Sequence, residues 1–397
     1  MIHKKAAASS LKGPSPRSDL RVGISGSYGG MNLGDEAILQ SMIAQLRAAR
    51  RVEVTVFTAD VEDTLKRHRV ETALAVRDLT RDEARHAVQQ LDLLILGGGG
   101  ILYDSGAEAY LREVTLAREV GVPVMIYAIS AGPLEDQRVR KHVRETLDHV
   151  ALITVRDRQG KQVLESIGVE QEIIVTADPA VLMEPQPLTK DVLRRAGIED
   201  GKRIIAFSVR EPGPAAPDID VEHYHALLAH AADFVIDRLE ADVIFVPMER
   251  EHRDLQHSHA VVAKMRRAQN ATVVKEEYTS GEMLTLLGHC EFAIGMRLHF
   301  LIFAALQGVP FAPLPYASKV AGFIESVGMG TPVLKDVSAG TLLAMIDRSW
   351  DNREQLRQQI TRTIGDVQRH ARRNNELLVE LLDRIAGDQA GTAAGIG

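Results

Sequence analysis

The sequence carries a single cysteine, Cys290, in 397 residues. One thiol closes no intrachain disulfide and builds no multi-cysteine zinc site, and the reducing cytosol is the compartment that fits. A basic excess is missing too. Lys and Arg number 47 against 54 Asp and Glu, a formal charge of −7, so a nucleic-acid partner is not expected. No stretch is long and apolar enough to span a membrane. The longest, from Phe300 to Pro315, is interrupted by Gln307, Gly308 and three prolines, and a span needs about 20 residues. Residues 1–20 have basic side chains but no apolar segment of signal-peptide type, and they read as a disordered leader; residues 387–397 read as a disordered tail.

Several motifs of catalysis are likewise missing. The glycines after the first strand run Gly23-x-x-Gly26-x-x-Gly29-Gly30, which is not the G-x-G-x-x-G of a dinucleotide site. There is no G-x-x-x-x-G-K-[ST], no G-x-S-x-G and no H-E-x-x-H, so P-loop, α/β-hydrolase and zincin chemistry are unsupported. His223 with His225, and His252 with His257 and His259, have spacings that do not share a helix face; they are expected on solvated surface. No metal site is expected.

What is present is 45% apolar and 25% charged residues, ordinary for a globular protein of two domains or three. Short apolar runs alternate with amphipathic stretches of helical length. Candidate strands are Arg21–Gly26, Val52–Phe57, Leu91–Leu96, Val122–Ile129, Ala151–Val155 and Glu172–Thr176; after the Pro-rich Met183–Lys190 the rhythm restarts with Arg203–Val209, Asp242–Pro247, Thr272–Lys275, Phe292–Ile294 and Val309–Leu314. Wholly apolar strands separated by helices predict parallel sheets covered on both faces. The expected fold is therefore α/β, with two doubly wound domains facing a cleft. The boundaries read as 21–185, 186–346 and, for charged C-terminal helices packing across both domains, 347–386. Ligands in such sheets bind beyond the carboxyl ends of the strands.

Four segments lie there. In GSYGGMNLGDEA (Gly26–Ala37), Asn32 and Asp35 can hydrogen-bond polyols, and Asp35 reads equally as the cap of the following helix. The glycines of GGGGILYD (Gly97–Asp104) leave room for a ligand or for the facing loop. Arg156 stands at a strand end beside Asp157, as an anion ligand or as one half of a local ion pair. The sharpest segment is IGMRLH (Ile294–His299), leading into a wholly apolar helix. Such a helix has no solvated face, so Arg297 and His299 must turn into the cleft or pair there. Lys319 opens the next helix. Arg, His and Lys at two helix starts make an anion site with one titratable acid.

Taken in order, N-x-G-D-E-A (Asn32–Ala37), G-G-G-x-L/I-x-x-D (within Gly97–Asp104), S-A-G-P (Ser130–Pro133), V-R-D (Val155–Asp157), A-D-P-A (Ala177–Ala180) and I-G-M-R-L-H (Ile294–His299) make the chain resemble the polysaccharide pyruvyl transferases. The likeness is nearest to the bacterial cell-surface-anchoring type, which pyruvylates secondary cell-wall polysaccharide. It runs from about Arg21 to about Ser326. The resemblance implies a GT-B-like fold of two Rossmann-like domains. It implies an enzyme that transfers the carbon skeleton of phosphoenolpyruvate to a sugar as a cyclic ketal and releases phosphate. It places Arg156, Arg297, Leu298, His299 and Lys319 against this donor, with His299 as general acid. It places Asn32, Asp35, Gly98 and Gly99 towards the acceptor, with Asp35 orienting or deprotonating hydroxyls. No cofactor is implied beyond the co-substrate. The acceptor would be a glycan or a lipid-linked sugar, met in the cytoplasm or at the inner face of the membrane through peripheral contact. The roles of Glu249 and Asp254, and the oligomeric state, stay open. Two other readings remain: a nucleotide-sugar glycosyltransferase on the same fold, and a glycan-binding relative without activity.

Overall fold

A computed structural model describes residues 19–211, 220–249, 253–314, 318–330 and 338–394. Two parallel sheets account for the twelve strands among them. The first holds β1 (Leu20–Ser25), β2 (Val52–Thr58), β3 (Thr72–Ala75), β4 (Leu93–Leu102), β5 (Val124–Ala131), β6 (Leu152–Val155) and β7 (Ile173–Val175), in the order β3-β2-β1-β4-β5-β6-β7. The second holds β8 (Ile204–Ser208), β9 (Asp242–Phe245), β10 (Ala271–Val273), β11 (Phe292–Gly295) and β12 (Phe311–Pro313), in the order β10-β9-β8-β11-β12. Both repeat one winding: the chain moves outward from its first strand, returns, and continues on the other side. The order reverses between β1 and β4, and again between β8 and β11, and a crevice opens beyond the strand ends at each reversal.

The strands form where the sequence supplies continuous Val, Ile and Leu, as in LLIL of β4 and LITV of β6, which bury both faces under helices. β4 runs further than its apolar residues. The ladder with β5 continues through Gly97, Gly99 and Gly100 to Leu102, so the four glycines lie within the strand, not after it. Gly98 and Gly99 have φ of 47° and 89°, and a Cβ on Gly98 would come within 2.1 Å of Ile38. Only glycine lets the strand turn there against the first helix.

The two sheets are joined by more than the linker. One apolar cluster runs from Ile24, Ile38 and Met42 through Ala180 and Val181 to Phe300, Leu301 and Leu378. The last of these lies on the helix Arg353–Ala394. Asn374 on that helix is fully buried, donating to the Ala177 carbonyl at 3.1 Å and accepting from Thr176 Oγ1 at 2.8 Å. The C-terminal helix is thereby bound to the stretch that leaves β7. Among the described residues no helix is long and apolar enough to cross a membrane.

Candidate active site

The carboxyl ends of the two sheets meet through the turn that follows β1. That turn closes into the helix Leu33–Ala49, and its cap is Asn32, whose side chain accepts the Gly34 N–H; Asp35 lies inside the first turn instead of capping it. The same turn touches the second domain. Leu33 N–H donates to the Met248 carbonyl at 2.9 Å, Asn32 bridges Glu249 as an antiparallel pair, and Ser280 Oγ donates to the Leu33 carbonyl at 2.7 Å. Asp35 stands over the glycine strand, and a Cβ on Gly99 would lie 3.3 Å from its Oδ1. Asn32, Asp35, Gly98 and Gly99 thus form one neighbourhood.

On the opposite side, β6 delivers Arg156 into a cavity of about 220 Å³ between the domains. Asp157 next to it caps the helix Arg158–Ser166 by accepting the Gly160 N–H. The wall of the cavity includes Arg156, Asp178, Leu298, Phe323 and His370. Arg156 pairs chiefly with Asp178, Nη1 to Oδ2 at 2.7 Å, while its Nε sits 3.8 Å from Asp157.

The helix Leu298–Leu306 grows from β11, with Arg297 at its cap position. Its body, Phe300 to Ala305, is buried on every side, as its unbroken apolar sequence requires. The tripeptide before that body divides. Leu298 lines the cavity. His299 turns to Asp178, with Nε2 at 3.4 Å from Oδ2. Arg297 turns away, to Asp254 through Nε and Nη2 at 3.0 and 2.5 Å and to Glu249 through Nη1 at 2.6 Å. Asp254 also accepts the N–H groups of Met248 and Glu249, each at 3.1 Å. Burial pushes the Asp254 carboxyl up from its ordinary value, against the pull of Arg297. The Arg297 guanidinium therefore anchors the turn that carries Glu249, the same turn that pairs with Asn32.

Asp178 is the group that sequence reasoning missed. It entered only within the A-D-P-A motif, because its partners come from positions 156 and 299. Burial opposes its ionisation, but His299, Arg156 and the Ala180 N–H hold its carboxyl well below the usual carboxylate range. Lys319 stands on the helix Ser318–Ser326, whose Gly322, Phe323 and Ser326 line the cavity; its own side chain lies outside the described residues.

The histidine expectation needs correction. His225 and His257 are not on open surface: they bond ring to ring at 2.8 Å, with His225 buried. The helices Val221–Leu239 and Asp254–Val262 bring them together, so spacing along either helix alone carried no signal. His223 and His259 are exposed, as expected, and His252 lies outside the described residues. No group of three or more His, Cys, Asp or Glu that could hold a metal occurs among the described residues.

Two doubly wound domains facing a cleft, with ionic side chains from both at the strand ends, define a GT-B-like fold. Similar solved structures share this fold. A putative UDP-N-acetylglucosamine 2-epimerase from Listeria monocytogenes matches with a TM-score of 0.61 at 12% identity, over 90% of this chain and 95% of that one. A glycosyltransferase from Rickettsia africae matches with a TM-score of 0.60 at 10% identity, over 92% and 99%. The family model of the polysaccharide pyruvyl transferases matches residues 32–318, and the chain belongs to that family. A curated relative, the amylovoran biosynthesis protein AmsJ of Erwinia amylovora, is 23% identical over 290 residues, 70% of each chain.

Proposed function

We propose that the protein forms a pyruvate ketal on a sugar of a polysaccharide, or of its lipid-linked precursor, with phosphoenolpyruvate as donor and phosphate as product. The observation that carries this reading is the meeting of Arg156 from the first domain and His299 from the second on one carboxylate beside the 220 Å³ cavity. Among the described residues neither Arg156 Nε nor His299 Nε2 has a well-formed hydrogen bond, and both are buried. Buried donors of this kind are costly unless a partner completes them, and the oxygens of an anionic donor are suitable partners. The helix that walls the same cavity carries Lys319, which the resemblance assigns to the donor.

The chemistry runs in two steps. His299, protonated, gives its proton to the methylene carbon of the donor, and the neighbouring carbon becomes electron-poor. An acceptor hydroxyl attacks that carbon, forming a C–O bond, and its proton passes to Asp35. The C–O bond to phosphate then breaks, phosphate leaving with the electron pair. A second hydroxyl attacks the same carbon to close the ring, and its proton passes to His299, restoring the acid. Arg156 and Lys319 neutralise the departing phosphate, while Arg297 keeps the tripeptide and the Glu249 turn in place. Asn32, Gly98 and Gly99 receive the sugar. The enzyme would work in the cytoplasm, meeting the membrane only peripherally through its acceptor.

The test incubates the enzyme with phosphoenolpyruvate and a panel of lipid-linked or aryl glycosides and measures phosphate release together with ketal formation. His299→Ala should lower kcat by about 10²–10⁴ with donor affinity within a few-fold. If the variant kept kcat and only raised KM, the histidine would be a ligand and the acid would lie elsewhere. Turnover of a nucleotide sugar with no phosphate release from phosphoenolpyruvate would replace the proposal by the glycosyltransferase reading.

A further inference from the structure

The imidazole of His299 is held from two sides by the domain to which it does not belong. On one side is Asp178, three residues past β7. Its Oδ2 faces His299 Nε2 at 3.4 Å and accepts Arg156 Nη1 at 2.7 Å, and its Oδ1 accepts the Ala180 N–H at 2.9 Å. The carboxylate cannot rotate away without breaking those bonds, and it is 6% exposed. On the other side is Gly34, in the first turn of the helix Leu33–Ala49. A Cβ placed on Gly34 would fall 1.8 Å from His299 Nδ1 and 2.3 Å from its Cγ. The ring therefore packs, Nδ1 side nearest, against backbone that only glycine leaves open. Gly34 has no left-handed φ, so the helix itself would accept alanine there; the ring is what excludes a methyl group.

We propose that Asp178 and Gly34 are positioning residues for His299, a two-walled clamp supplied by the first domain for a side chain of the second. The assignment rests on the pyruvyl-transfer reading for the role of His299, but the clamp is a property of the chain. Asp178, itself fixed by Arg156 and the Ala180 N–H, fixes the direction of Nε2 and so the orientation of the ring. Gly34 sets the depth of the ring. The clamp also couples chemistry to domain placement. Because both walls belong to the first domain, the placement of the second domain against it sets where the ring sits.

Asp178→Asn and Gly34→Ala test the two walls separately. Asparagine keeps the size and can still accept the Ala180 N–H through its amide oxygen, but removes the charge. In the Asp178→Asn variant kcat should fall by at least about tenfold, within the roughly 10²–10⁴ that a general acid supplies. Donor KM should stay level or fall, because Arg156 loses its internal partner and is left to the donor. A purely structural defect would reduce the active fraction and the thermal midpoint with no such split. Gly34→Ala should lower kcat in the same way through displacement of the ring, with Gly34→Ser no better.

A second measurement needs no turnover. The ring nitrogens of His299, assigned in a 15N–1H spectrum by their loss in His299→Asn, should shift in both clamp variants, while those of His225 and His257 stay in place. Unchanged His299 signals and unchanged kcat in Asp178→Asn would overturn the clamp. Shifted signals in a protein that never turns over phosphoenolpyruvate would uphold the clamp and refute the pyruvyl-transfer reading instead.

Discussion

Arg297 offers the sharpest quantitative test of how the site is built. Its guanidinium is 11% exposed and faces two carboxylates, Glu249 at 8% and Asp254 at 0% side-chain exposure. Replacing it by methionine keeps most of the volume and removes the charge. The two carboxylates then sit together, desolvated, with the N–H groups of Met248 and Glu249 still bonded to Asp254. Removing one partner of a buried ion pair costs about 3–5 kcal/mol, and the presence of two carboxylates puts Arg297→Met at the upper end of that range. The loss should depend on pH with a definite sign. Burial already raises the Asp254 carboxyl, and Arg297 is the main charge opposing the rise. Without the arginine its folded value climbs further above the unfolded one. A group of that kind takes up a proton on folding, so its stability is present at low pH and lost as pH rises. Urea unfolding of wild type and variant at about pH 5.5 and about pH 7.5 measures the difference, which should be smaller in acid. Adding Asp254→Asn should recover roughly 1–3 kcal/mol at the higher pH, the usual size of coupling between contacting residues. A deficit below about 1 kcal/mol at both pH values, against the 3–5 expected of a broken buried pair, would refute the reasoning. So would a deficit that grows in acid.

Two further outcomes follow from groups outside the cleft. Burial pushes the Cys290 thiol up to about 12, so in the native protein it should resist thiol reagents, and its labelling rate should track unfolding; rapid labelling without loss of structure would contradict the buried geometry. Burial, and for His225 the charge of His257, lowers both histidines of the bonded pair. Such groups fold neutral and protonate first in the unfolded chain, so the stability they leave intact above about pH 6.5 should fall away as pH drops through that value. His257→Gln should flatten that fall in thermal melts between about pH 5 and 7; an unaltered slope would show that the pair does not titrate as its packing requires.

Much of the fold was legible because its cause is local. Wholly apolar runs such as LDLLIL and ALITV can be stable only inside a covered parallel sheet, and the capping box of Thr279 and Glu282 forms as its spacing demands, opening the helix Ser280–Gly288. β3 was not legible: TALA is four residues long, at the sheet edge and only half buried, so its pairing with β2 decides it and its composition does not. The true extent of β4 was hidden for a related reason, since glycines carry no apolar signal and only the ladder with β5 shows that they are strand.

The sequence by itself determined the two windings, the apolar helix behind Arg297 and His299, and the ordered motifs of the family. Tertiary structure decided the partners. Nothing in the order of residues tells that Arg297 goes to Glu249 and Asp254 while His299, two positions on, goes to Asp178 with Arg156. Nor does it tell that His225 and His257 bond across two helices, or that Asn374 holds the last helix to Thr176 and Ala177. Periodicity and capping act over a turn or a strand, and one chain displays them directly. Charge pairing acts between atoms a few ångströms apart, whatever their separation in sequence, and a buried charge takes whichever opposite group the packed helices bring to it.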